Sequence, residues 1–258
     1  MTELMNQLRE NENKPWVKRK VYKYSKKLLK KIRFMRDFND FRKLQIGSNR
    51  FRMIWKDRYP ILNENTTNSV FDSHYIYHPA WAARILSRTL PSKHIDISSS
   101  LHFCTMISAF IPVEFYDYRP AKINLSDLSS KYADLMNLPF PNNSIESLSS
   151  MHVLEHIGLG RYGEPLDPEG DIKAFAELKR VLAKNGSLII VVPLGVPIIR
   201  FNAHRIYSYD QIFSYFSDLS LIDFALVTDE GEFINNATQN EADQQNYGCG
   251  CWYFVKRN

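Results

Sequence analysis

Apolar residues recur at steps of three and four along residues 15–40, where Val17, Val21, Tyr24, Leu28, Ile32, Met35 and Phe38 fall in register. That spacing predicts a helix with Lys and Arg on its other faces, and Pro15 suits its first turn. A second helical period runs through "HPAWAARILSRTL" (78–90), after a polar loop at 63–68. From there the pattern shifts. "KHIDI" (93–97) and "VEFYDY" (113–118) predict strands on either side of a helix at 101–110. "IESLSSMHV" (145–153) predicts a strand leading into a helix. A helix is expected over 171–186, with Phe175, Leu178 and Leu182 aligned and Gly186 closing it. "SLIIVVP" (187–193) is apolar enough for a strand buried on both faces. "LSLIDFALVTDEG" and "YGCGCWYFVKR" offer two more strands. Strands alternating with helices predict an α/β fold around a parallel sheet.

Charge divides the chain. Between Lys14 and Arg50 stand 14 Lys or Arg and two acids, whereas the whole chain carries only +5. The reading is a basic amphipathic helical arm (1–50) on a mildly acidic body (51–258). Three roles stay open for the arm. It packs one stripe on the body, lies on the anionic headgroups of an inner membrane, or meets nucleic acid through cations interleaved with Trp16, Tyr22 and Tyr24. Nucleic acid is the less favoured of these. No apolar stretch approaches the roughly 18 residues of a membrane-spanning helix, and the N-terminus lacks the core of a secretory signal. Three cysteines, Cys104, Cys249 and Cys251, suit a reducing cytoplasm.

In an open parallel sheet, ligands sit beyond the carboxyl ends of the strands. Asp96 and Asp117 close the first two strands, and Asp134 lies in a loop further on. A carboxylate at the second strand end has only acceptors, which suits the paired hydroxyls of a ribose. "HVLEH" places His152, Glu155 and His156 after another strand, and "FNAHR" places Asn202, His204 and Arg205 after the next. No metal is expected. His152-x-x-Glu155-His156 spells a zinc-peptidase pattern, but it starts at a strand end and runs at once into "GLGRYG", leaving no helix to present both imidazoles. Gly158, Gly160 and Gly163 lack the lysine–serine ending of a phosphate loop. They predict a lid carrying Arg161, Tyr162, Asp167 and Glu169, or else a rigid loop fixed by Pro165 and Pro168. Cys249 and Cys251 are expected on opposite faces of their strand, in a packing role.

The run "ADLMNLPFPNNSIESLSSMHVLEHI", followed by "ELKRVLAKNGSLIIVVP", resembles class I S-adenosylmethionine-dependent methyltransferases. "HVLEHIGLGRYGEPLDPEGD" and "FNAHRIYS" resemble more closely a subfamily first catalogued as a nematode domain of unknown function. Its bacterial members accompany surface-polysaccharide genes. The likeness spans residues 70–258.

It implies a Rossmann-like class I methyltransferase sheet, mostly parallel with an antiparallel last strand, and S-adenosylmethionine as cofactor. Asp96, Ser98 and Ser100 then belong to the loop around the methionine part, Asp117 holds the ribose, and Asp134 and Leu135 flank the adenine. Met151 and His152 face the sulfonium. The implied acceptor is a sugar hydroxyl, in surface-polysaccharide or nucleotide-sugar biosynthesis. Such a hydroxyl needs a base, for which His152 and His204 are the candidates. His156 is equally a catalytic group or part of a helix-start network. Arg161, Tyr162, Asn202 and Arg205 are left to hold the substrate. One departure stands out: the family places glycine where this chain has Ser98. Two rival readings remain, an RNA methyltransferase using the arm and a catalytically silent module in a glycan-assembly complex.

Overall fold

A computed structural model describes residues 15–45, 47 and 50–257, with side chains from residue 24 onward. The arm residues Trp16, Val17, Val21 and Tyr22 lie outside the described side chains. The chain divides into two compact units, Met1–Val70 and Phe71–Asn258, a later division than the 50/51 boundary read from charge.

The first unit contains one long helix, α1 (Pro15–Leu44), and a 3-10 turn at Trp55–Asp57. The apolar side chains of α1 are only partly used. Phe38 meets Trp55 edge-on at 4.9 Å and Phe34 tilts toward it at 6.3 Å, while Leu28, Leu29, Ile32 and Met35 are exposed.

The second unit begins with α2 (Ser73–Thr89), capped by Asp72, whose side chain accepts from the Tyr75 amide. Then follow β1 (His94–Ile97), α3 (Leu101–Ile107), β2 (Val113–Asp117), β3 (Leu128–Tyr132) and β4 (Ile145–Met151). A 3-10 turn at Leu154–His156 leads to α4 (Gly170–Val181) and β5 (Leu182–Leu194). A hairpin of β6 (Ile198–Arg200) and β7 (His204–Ile206) precedes α5 (Tyr209–Tyr215), β8 (Ser220–Val227), β9 (Phe233–Ile234), α6 (Gln239–Asp243) and β10 (Gly248–Val255). The main sheet runs β3-β2-β1-β4-β5-β10-β8-β9. β1 to β5 pair in parallel, and β10 enters antiparallel between β5 and β8. This is the Rossmann-like methyltransferase sheet with its reversed last strand. Its order turns back between β1 and β4, where such folds bind ligands.

Side-chain alternation along the strands divides the core in two. Leu188, Ile190, Val192, Trp252 and Phe254 join α4 residues Phe175 and Leu178 on one face. Ile189, Val191, Cys249 and Cys251 join Trp81 and Ile85 of α2 and Phe103 and Ile107 of α3 on the other. The two cysteines therefore share a face, contrary to the sequence expectation, because residues two apart in a strand point the same way.

The helix expected to reach Gly186 stops at Val181. Gly186 lies inside β5, where a Cβ would come within 2.9 Å of the Ile145 carbonyl, and the β4–β5 register shifts there. Close backbone approach, and not a helix cap, explains that glycine. The helix expected to follow residue 153 is only the 3-10 turn. β3 and the β6–β7 hairpin had no clear period in the sequence.

Candidate active site

The serine-filled turn after β1 is well formed. Ser98 adopts φ +59°, the left-handed conformation that glycine enters more readily. Its amide and hydroxyl both donate to the Tyr116 carbonyl, at 2.7 and 3.3 Å. Ser99 Oγ accepts from the Met151 amide at 3.0 Å, and Ser100 Oγ caps α3 by accepting from Phe103 N at 3.3 Å. Each serine ties the turn to a neighbouring element.

Asp96 is fully buried. Its Oδ1 accepts from Ser99 N at 3.0 Å, and its Oδ2 takes a short hydrogen bond from Ser149 Oγ. Ser149 Oγ also lies 2.8 Å from His94 Nε2, and Ser147 Oγ lies 2.8 Å from His94 Nδ1. Since Ser149 gives its proton to Asp96, it accepts from Nε2–H of a neutral imidazole. Burial holds His94 down to about 3 and pushes Asp96 up to about 6, against its hydrogen bonds. Asp96 thus bridges β1 and β4 from inside the sheet.

Asp117 and Asp134 stand at the sheet edge. Asp117 Oδ1 accepts from Arg119 N at 2.6 Å and Asp134 Oδ1 from Met136 N at 2.9 Å. Neither carboxylate has another hydrogen-bond partner among the described residues. Leu135 and Met151 are buried in the core. A narrow compartment of about 40 Å³ is lined by Ser98, Tyr118, Ala133, Asp134, Leu135, Met136, Ile157, Tyr162 and Glu164. That is room for about one water molecule. The glycine loop closes it. The base of this loop is pinned, because a Cβ on Gly158 would sit 2.1 Å from the Asp167 carbonyl. Arg205 donates to the Ile157 and Pro168 carbonyls at 2.7 and 3.2 Å. At the tip, Gly163 has open space around it.

A second, wider cavity of about 670 Å³ adjoins it. Its walls come from the start of α2 (Asp72, His74, Tyr75), the turn after β4 (His152, Glu155, His156), Arg161, the β6–β7 turn (Asn202, Ala203, His204) and Tyr247. Burial, the largest cause, lowers the pKa of His74, His156 and His204, so these three imidazoles are neutral at pH 7. Tyr75 is pushed up to about 12, chiefly by burial. His156 Nδ1 donates to the Ala203 carbonyl at 2.7 Å, while Arg161 Nη1 donates to the same oxygen at 2.9 Å. With Nδ1 carrying the proton, Arg161 faces the Nε2 lone pair at 3.3 Å. His204 Nε2 is buried and has no hydrogen-bond partner among the described residues. The rings of His156 and Tyr162 meet edge-on at 6.0 Å, dividing the wide compartment from the narrow one.

The structure therefore gathers His152, His156, His204, Arg161 and Asn202 around one cavity and puts Tyr162 at its partition. Arg205 is not among them. It is buried, holds two carbonyls of the loop base, and lies 3.5 Å from Asp171, so no side of it is left for an anionic substrate. Sequence reasoning missed His74, Tyr75, Tyr247 and Cys249. The i, i+4 pair His74 and His78 was the one available signal.

The strand order and the carboxyl-edge site define a protein of the Rossmann-like methyltransferase fold. Residues 102–246, more than half of the chain, match the model of the family described as "Caenorhabditis protein of unknown function, DUF268", and the chain belongs to that family. Solved structures resemble the chain over much of its length. The N-methyltransferase NodS of Bradyrhizobium japonicum, in complex with S-adenosyl-L-homocysteine, is 13% identical over 69% of this chain and 85% of its own, with TM-score 0.48. A TehB-like SAM-dependent methyltransferase of Corynebacterium glutamicum is 16% identical over 70% of this chain and 89% of its own, with TM-score 0.45. No curated protein matches the sequence.

Proposed function

We propose that the protein is an S-adenosylmethionine-dependent O-methyltransferase acting on a sugar hydroxyl, in surface-polysaccharide or nucleotide-sugar biosynthesis. The observation that carries this reading is the pair of compartments at the carboxyl edge of the sheet, one lined by His156 and the other by Tyr162, whose rings meet edge-on. The narrow one has the character of a nucleoside site, with apolar walls from Ala133, Leu135 and Ile157 and the acceptor Asp134. Asp117, at the end of β2, keeps a carboxylate oxygen for ribose hydroxyls. The tip of the glycine loop must lift to admit so large a group, and its Gly163 leaves it free to do so.

When bound, S-adenosylmethionine supplies an electrophilic methyl group. The chain's own residues prepare the acceptor. The wide cavity has the volume of a small-ligand site, and Tyr75 and Tyr247 give it flat faces for a sugar ring. Arg161 and Asn202 offer donors to acceptor oxygens. His204, neutral and lining the cavity, is the assigned general base. Fixing acceptor and donor on two sides of one partition provides the alignment that displacement requires.

In this reading α1 serves as a surface anchor. Leu28, Leu29 and Ile32 are exposed on a helix rich in Lys and Arg, the chemistry of an anionic lipid interface. The silent-module reading draws on a different observation, the closure of the narrow compartment to about 40 Å³.

Calorimetry with S-adenosylhomocysteine separates the two. Binding by the wild-type chain, weakened roughly ten- to hundredfold by Asp117→Ala (the loss of a charged hydrogen bond), is the expected result. Absence of binding favours the silent module. Methyl transfer to a panel of nucleotide-linked sugars then tests the acceptor class.

A further inference from the structure

Behind the wide cavity lies a group of side chains that methyl transfer does not require. His74 comes from α2, His152 from the end of β4 and Cys249 from β10, and one ligand atom from each lies within 4.8 Å of the other two. Cys249 Sγ is 3.4 Å from His152 Nε2. A tetrahedral zinc ion with bonds of about 2.3 Å to sulfur and about 2.05 Å to nitrogen holds those atoms about 3.5 Å apart. On its other side, His152 Nδ1 lies 2.9 Å from Glu155 Oε1. That contact fixes the proton on Nδ1 and leaves the Nε2 lone pair directed at the sulfur, the carboxylate–histidine arrangement found behind metal-bound imidazoles.

The surroundings agree. Glu155 is 1% exposed; its Oε1 contacts His152 and His156, while its Oε2 has no hydrogen-bond partner among the described residues, so a buried carboxylate sits in the wall beside two imidazoles. His78, one turn beyond His74, is fully buried, its Nε2 has no partner among the described residues, and it stands edge-on to His152 at 5.0 Å. His152 holds φ +55°, a conformation costly for a residue with a Cβ and common where function fixes a side chain. A simple thiol–imidazole hydrogen bond explains the Cys249–His152 contact. It does not explain the third donor, the carboxylate behind it or the orphaned imidazole beside it.

We infer that His74, His152 and Cys249 form a binding site for a divalent d-block cation, zinc by preference, supported from behind by Glu155. Two imidazoles and one thiolate suit zinc, cobalt or copper over magnesium or calcium. On binding, Cys249 gives up its thiol proton to solvent while both imidazoles bind through neutral nitrogens. Two positive and two negative charges, the thiolate and Glu155, then balance. His74 and His152 line the cavity and Cys249 lies behind them, so the fourth coordination position opens toward the cavity. There a cation lowers the pKa of an acceptor hydroxyl. That use rests on the proposed methyl transfer; the binding site itself does not. Neither metal pattern weighed in the sequence supplies this set, which takes one ligand from each of three separated segments.

The full-length protein, stripped with chelator, is titrated with Co²⁺ and followed by absorption, and zinc content is measured after reloading. One equivalent is expected, with a thiolate-to-cobalt charge-transfer band and the visible bands of a tetrahedral site. Cys249→Ser removes the charge-transfer band, whereas Cys251→Ser, on the same strand face, keeps it. Glu155→Gln weakens binding roughly ten- to hundredfold, as loss of such a supporting carboxylate does elsewhere. Absence of the band in the wild-type chain, or its survival in Cys249→Ser, overturns the site. S-adenosylhomocysteine binding is measured on both metal-free and metal-loaded protein. Cofactor binding without cobalt binding sinks the metal site alone, and the reverse sinks methyl transfer alone.

Discussion

The guanidinium of Arg119, just past the end of β2, lies 4.4 Å over the ring of Tyr162 at the tip of the glycine loop. Arg161 approaches the same ring at 5.2 Å. This stack joins the loop tip to the strand edge that carries Asp117 and so shuts the narrow compartment. An exposed cation–π pair contributes about 0.5–1 kcal/mol. Arg119→Ala is therefore expected to speed association of S-adenosylhomocysteine about two- to fivefold in stopped-flow measurements. An unchanged on-rate shows that the stack does not gate entry.

Ser98 occupies the position at which glycine relieves backbone strain. Ser98→Gly removes a left-handed serine, worth about 1 kcal/mol, but also a 3.3 Å hydrogen bond and some rigidity of the unfolded chain. These effects offset, and stability in urea is expected to stay within about 1 kcal/mol of wild type. Ser98→Val has no such relief and is expected to lose about 2 kcal/mol, since a branched side chain tolerates this φ least. Equal stabilities for the two variants mean the turn is not held in the left-handed conformation.

The buried His94–Ser149–Asp96 chain makes opposite demands on pH. His94, held near 3 in the folded state against 6.5 ordinarily, stabilises the fold at neutral pH; that contribution is lost as pH falls from 6.5 toward 3. Asp96, raised to about 6, favours the fold at low pH and loses that contribution as pH rises from about 4 to 6. The terms are on the order of 5 and 3 kcal/mol, and their slopes largely cancel between pH 4 and 6. Asp96→Asn should therefore steepen acid destabilisation in thermal melts between pH 6.5 and 4. His94→Gln should reverse the slope. Parallel melting profiles for the three proteins contradict the assignment.

His204 must be neutral to accept a proton, and burial keeps its pKa below 6.5. Turnover is accordingly expected to be flat above neutrality and to fall on the acid side below 6.5. His204→Gln should lower kcat about 10²- to 10⁴-fold, the usual loss for a positioned base, and abolish the acid limb. An acid limb that survives in His204→Gln moves the base to another group of the cavity.

Much of this was legible along the chain. The continuous apolar run over 187–193 marked β5 as buried on both faces, and Asp117 and Asp134 were read at strand ends or just beyond them, because apolar runs and strand-end acids are properties of short segments. Other features misled for physical reasons. The glycine at 186 mimics a helix cap but serves a close strand contact with Ile145. Arg205 beside His204 looked like a substrate ligand, yet the β6–β7 hairpin turns it inward to the loop base. Asp96 looked like a cofactor residue, yet burial between Ser99 and Ser149 makes it a bolt between strands.

By itself the sequence determined the alternation of helix and strand, the basic helix at its start and the acids at successive strand ends, since each depends on neighbours only a few residues away. The gathering of His74, His152 and Cys249 was decided by tertiary structure alone. These residues lie far apart in the chain, and they meet because β10 enters the sheet backwards between β5 and β8 while α2 packs over the same face. No local period encodes that meeting, which follows from burying both faces of one sheet at once.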